Sequence, residues 1–140
     1  MSKYKSAETQ FCGQHDYSVR SITEADGILS VEVVSECERV NFRFESFSCY
    51  RRMDEGDAMR SLLALTRTAE ARKVLYLVTD SEFVSSFENE SEGTRKASEL
   101  VHYAIVAGDH VLDVITSTPV GRWLSVSRVS LGGHLPAGRK

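Results

Sequence analysis

The sequence is poor in the residues and patterns that announce a function. It holds three cysteines, Cys12, Cys37 and Cys49, widely spaced and without a CxxC pair. An odd, scattered set is a weak framework for disulfides or for zinc. Reduced thiols in a cytoplasmic protein are the plain expectation. Basic charge is not in excess. Lys and Arg number 17 against 20 Asp and Glu, a net charge of −3 at pH 7. That argues against a general nucleic-acid binder. No apolar run approaches the roughly 18 residues that cross a bilayer, and MSKYKSAETQFCG lacks the apolar segment of a signal peptide. We therefore expect no membrane partner. GxGxxG, P-loop, HExxH and GxSxG motifs are all missing, which removes the usual signatures of nucleotide binding, zinc proteolysis and the serine-hydrolase turn. No cofactor is implied, and no internal repeat occurs.

What is present is an ordinary globular composition. Hydrophobic residues make up 41% and charged residues 26% of the 140, enough to bury one core without staples. We read residues 1–131 as a single domain and 132–140, GGHLPAGRK, as a disordered tail.

The stretch Leu100–Ser117, LVHYAIVAGDHVLDVITS, organises the chain. Two apolar runs flank a Gly-Asp pair, which is a hairpin signal. Both faces of each arm are apolar, so these are interior strands, and Thr118-Pro119 ends the second arm because proline cannot donate to a ladder. Upstream, the polar residues 1–15 read as a loose lead-in or weak edge. Asp16–Ile22 is a short strand, and Ala25-Asp26-Gly27 a turn. Ile28–Val34 and Val40–Glu45 alternate with period two, placing Leu29, Val31 and Val33, then Val40, Phe42 and Phe44, on one face. Ser35–Arg39 connects them, and Phe47–Met53 extends or leaves the second strand.

Ala58–Arg72 reads as an amphipathic helix, with Met59, Leu62, Leu63 and Thr66 as its stripe, widened by Ala58, Leu65 and Ala69. Asp54 or Asp57 suits its N-terminus. VLYLV at Val74–Val78 is a strand buried on both faces. Thr79-Asp80-Ser81-Glu82 has the T-x-x-E form of a capping box for a short helix through Phe87. Glu88–Glu99 reads as a solvated loop, and Trp123–Leu131 as a last strand. The fold class is thus α+β: a mostly antiparallel sheet of about five to seven strands, with one longer and one short helix packed on it.

Candidate chemistry is sparse. Cys49 with His102 or His110 as base would need a lowered thiol pKa and hydrogen-bond reach, yet cysteine is commonly a small buried hydrophobe. Asp109, His110 and Asp113 carry ligand atoms, but an Asp in a tight turn is explained by turn chemistry, so no metal site is assigned. His102, inside a strand, reads as a hydrogen-bonded core histidine. Tyr50, Arg51 and Arg52 are stacking and phosphate-holding types, but Asp54, Glu55 and Asp57 follow at once and suggest an arginine–carboxylate surface network instead. Asp80, Glu82, Glu88, Glu90 and Glu92 crowd one region. The bland account is a solvated face; the functional one is an acidic surface for a basic partner.

HYAIVAGDHVLDVIT, preceded by VLYLVTDSEFVSSF and perhaps with CYRRMDEGD, resembles by general pattern the C-terminal half of small bacterial proteins of the toxin-immunity type. The basic-ended tail departs from that pattern. The resemblance implies a non-enzymatic cytoplasmic binding protein that neutralises a protein toxin by occlusion, with the five acidic residues and the Tyr50–Asp57 stretch as its contact surface. Two alternatives stay open: a small enzyme with an unrecognised pocket, and a self-associating scaffold that dimerises through Trp123–Leu131.

Overall fold

Strand alternation builds most of the molecule. The computed structural model describes residues 2–7, 16–54, 56–68, 74–108 and 110–131. In order the elements are β1 (Lys3–Ser6), β2 (Ser18–Ala25), β3 (Ile28–Val34), β4 (Glu38–Phe44), β5 (Cys49–Asp54), α1 (Met59–Thr68), β6 (Leu75–Thr79), α2 (Glu82–Glu90), a 3₁₀ turn (Ala97–Glu99), β7 (Leu100–Ala107), β8 (His110–Ser117) and β9 (Leu124–Ser130). The fold is α+β, as the pattern implies. Its strands divide between two antiparallel sheets, ordered β1-β6-β7-β8-β5 and β2-β3-β4-β9.

The two sheets share one core. From the four-stranded sheet come Leu29, Val31, Val33, Val40, Phe42 and Phe44, all fully buried. Against them stand Leu75, Val101, Tyr103, Ile105, Leu112 and Val114. Burying one such side chain contributes roughly 1.5–3 kcal/mol, so this layer dominates stability. Asp26 (φ 55) and Gly27 (φ 77) close the β2–β3 hairpin in two residues, the left-handed pair that matches strand twist. At the β7–β8 turn Gly108 (φ 58) lies so close to β2 that an added Cβ would sit 3.3 Å from the Tyr17 carbonyl oxygen. Asp109, the other half of that turn's signal, lies outside the described residues.

The opposite face of the five-stranded sheet carries both helices. Ala64 and Leu65 of α1 pack on Tyr4, Tyr76, Val78 and Ala104; Phe83, Val84 and Phe87 of α2 pack on Leu100, Ile115 and Cys49.

Several expectations need correction. Met59 and Leu63 are 57% and 50% exposed, while Ala58 and Ala64 are buried. The sheet's own tyrosines fill the space beneath α1, so the helix approaches on its small residues, and its inward face is rotated away from the large ones. Ser81, not Thr79, caps α2: its hydroxyl accepts the Val84 N–H at 2.9 Å, because Thr79 is still paired with Lys3 in the ladder. The expected loop at 88–99 is shorter and more ordered: α2 runs on through Glu90 rather than ending at Phe87, and the connection that follows, with its 3₁₀ turn at Ala97–Glu99, is pinned. Glu88 Oε2 accepts the Ala97 N–H at 3.0 Å, and Arg95 Nη2 donates to Ser117 Oγ at 3.1 Å. Phe47–Met53 leaves its sheet, and β5 becomes the edge of the other one. Cys12, Ala69, Arg72 and the tail at 132–140 lie outside the described residues.

Candidate functional site

Two rows of residues cross the face beneath the helices. Register sets Cys49, Ile115, His102, Val78 and Tyr4 side by side, and next to them Arg51, Asp113, Ala104, Tyr76 and Ser6. In this apolar surface the polar groups have to find one another. They do so along one chain of contacts. Arg51 Nε donates to Asp113 Oδ2 at 3.0 Å, directly across the β5–β8 pair. Asp113 Oδ1 lies 2.7 Å from His102 Nε2, and His102 Nδ1 lies 2.6 Å from Ser81 Oγ. Ala104, opposite Asp113, is small enough to leave room for the diagonal reach between His102 and Asp113.

Donor and acceptor roles follow from the carboxylate, which only accepts. With a neutral ring, Nε2–H donates to Asp113, and Nδ1 accepts the Ser81 hydroxyl, which in turn accepts the Val84 N–H. Ser81, His102 and Asp113 are buried, Asp113 completely. Arg51 is the member that reaches solvent, with 40% of its side chain exposed.

A cleft of about 290 Å³ opens above this relay between α1, α2 and the sheet. Arg51 and His102 belong to its lining, as do Tyr4 and Ser86, with Arg60 and Glu82 joined by a 2.8 Å ion pair. The Arg51 guanidinium lies over the Phe83 ring, 4.1 Å from its centroid. Burial first, opposed by a Ser61 hydrogen bond, raises the Tyr4 hydroxyl pKa above its ordinary value. A second, more open cleft on the other side of His102 is lined by Ser81, Thr79, Ser85 and Ala97.

The structure scatters several sequence candidates. Tyr50, Arg51 and Arg52 alternate across β5. Arg51 faces the helices, while Tyr50 packs against the inter-sheet core and Arg52 Nη2 lies 2.6 Å from His110 Nε2. The expected network of these arginines with Asp54 and Asp57 does not form among the described residues; Asp54 Oδ1 instead accepts the Asp57 N–H at 3.2 Å, and Glu55 lies outside them. Cys49 and His102 flank Ile115, two strand spacings or about 10 Å apart, and burial pushes the Cys49 thiol pKa up. That pair is no nucleophile and base. His110 and Asp113 point to opposite faces of β8, and no cluster of metal-ligating side chains occurs among the described residues.

The acidic residues are spread along α2. Asp80 is 3.5 Å from Lys3 Nζ, Glu82 holds Arg60, and Glu88 caps Ala97. Glu90 and Glu92 are exposed near the helix end. Sequence reasoning missed the relay, although a signal was present: Asp113 and His102 are ionisable residues set among apolar ones in neighbouring strands, and two such groups are best satisfied by each other.

Among the described residues, no helix is long and apolar enough to cross a membrane. No family model, curated protein or solved structure matches this chain.

Proposed function

We propose that this protein works by binding another protein, and that the partner docks over the cleft between α1 and α2. One observation carries this reading. A wholly buried carboxylate, Asp113, is spent on bracing a half-exposed arginine at the floor of an open cleft. Burying a charge is costly for the fold, whereas a preorganised arginine in a pocket is a common anchor of protein interfaces. Glu90 and Glu92, at the far end of α2, add a negative field that speeds the approach of a basic partner. Occlusion of a toxin, as the resemblance implies, is the mode of action that fits such a preformed face.

The test compares capture from the native host by the wild-type protein and by Ser86→Trp, which fills the cleft from an exposed position. A protein retained by the wild type and lost from the variant supports docking there. The same proteins on both would refute it.

A second reading, an acyl-transfer enzyme with Ser81 as nucleophile, is favoured by the Ser81–His102–Asp113 series and by the strand–turn–helix that presents Ser81 beside the left-handed Asp80 (φ 50). Against it, the Ser81 hydroxyl is buried and already serves as a helix cap, and Asp113 is shared with Arg51. Stoichiometric fluorophosphonate labelling of Ser81 would establish the enzyme; its absence leaves the series structural.

A further inference from the structure

We propose that the cleft between α1 and α2 takes a carboxylate group, held end-on by the two terminal nitrogens of Arg51. This rests on the binding function proposed above and names the chemistry of the group that enters. Two contacts fix the guanidinium before any ligand arrives. Its Nε is bonded to Asp113 Oδ2, and its plane lies over Phe83. Among the described residues the Asp113 bond is the one hydrogen bond that this guanidinium makes, so Nη1 and Nη2 stand side by side with no acceptor. A planar pair of donors in a fixed fork matches a carboxylate, and fixing the fork in advance removes part of the cost of ordering it.

The surroundings select within the anions. Two cations, Arg51 and Arg60, face three carboxylates, Asp113, Glu82 and Asp57, so the local field is slightly negative and does not by itself draw anions. A dianion such as phosphate gains little from that field, whereas a monoanionic group gains from the fork itself. Hydroxyl groups of Tyr4, Ser61 and Ser86 line the walls and supply further polar contacts. At about 290 Å³ the space suits a side chain or a small dicarboxylate rather than a large cofactor. On the binding function proposed here, the group belongs to an Asp or Glu side chain of the partner.

The probe is glutarate, with glutaramide as its uncharged counterpart, titrated at constant ionic strength while the Arg51 Nε–Hε resonance is followed by NMR. We expect glutarate to shift that resonance with a dissociation constant on the order of 1 mM, typical of so small a ligand, and glutaramide to leave it in place. Arg51→Lys keeps the charge and loses the fork, and should weaken glutarate about tenfold or more. If that variant does not fold, Ser86→Asp puts a tethered carboxylate into the same cleft and should compete to a similar degree. No shift with glutarate, or equal shifts with both probes, overturns the proposal even where the Ser86→Trp comparison supports protein docking. Glutarate binding that does not displace a captured partner keeps the carboxylate site and assigns it to a free small molecule. Glutarate that releases the partner places the group on the partner itself.

Discussion

Removing Arg51 should damage the fold more than removing the charge of Asp113, although the two form one ion pair. The asymmetry comes from burial. Asp113 is fully buried, while the Arg51 side chain is 40% exposed. Arg51→Met leaves a carboxylate in the apolar face with His102 as its remaining partner. Stranding a buried charge costs about 3–5 kcal/mol, and the open cleft, which admits water, sets the expectation near 3. Asp113→Asn leaves a guanidinium that can turn into the cleft and an amide that still offers His102 an acceptor. Its cost should be about 1–2 kcal/mol, that of weakened hydrogen bonds. In the double variant no charge is stranded, so the loss should be about 2 kcal/mol rather than the sum of the singles. Urea unfolding followed by circular dichroism and by the fluorescence of Trp123, the single tryptophan, measures all three. The Arg51→Met midpoint should also fall by roughly 10 °C on heating. Equal losses for the two single variants, or strict additivity in the double, would refute the assignment of Asp113 as a buried carboxylate braced by Arg51.

Other outcomes follow from the same geometry. Burial raises the pKa of Tyr4, of Tyr17 (whose hydroxyl donates to Glu38) and of Tyr103 (which accepts the Gly121 N–H) above the ordinary 10. The unfolded chain then binds fewer protons than the folded one above pH 10, so stability present below that pH is lost as pH rises, by up to about 1.4 kcal/mol per pH unit from each tyrosine. Tyr103→Phe should flatten that slope in urea melts taken from pH 9 to 11. Ser81→Ala removes the cap of α2 and the partner of His102 Nδ1, and should cost about 1–3 kcal/mol in the same assay; a neutral result would sink the relay as a structural element. Cys37 is exposed, whereas Cys49 is partly buried with its thiol pKa raised by burial, so iodoacetamide at pH 8 should modify Cys37 before Cys49, as read by mass spectrometry.

The sequence by itself determined the strands, because period-two alternation is a local property that the pleat converts directly into an inner and an outer face. Leu29, Val31 and Val33, and Val40, Phe42 and Phe44, face the core as the alternation requires, and the Leu100–Ser117 hairpin lies inside its sheet. Local pattern failed where partners come from far along the chain. It did not fix which sheet β5 would join, nor which face of α1 would turn inward, since Tyr4 and Tyr76, distant in sequence, decided that Ala64 and not Leu63 lies beneath. Nor did it place the candidate site. Tyr50, Arg51 and Arg52 look like one cluster in the sequence, yet alternation splits them between two faces, while Arg51 finds Asp113 62 residues away and His102 finds Ser81 at a distance of 21. Burial forces a polar group to find a partner, but only the packing of strand on strand decides which partner is within reach.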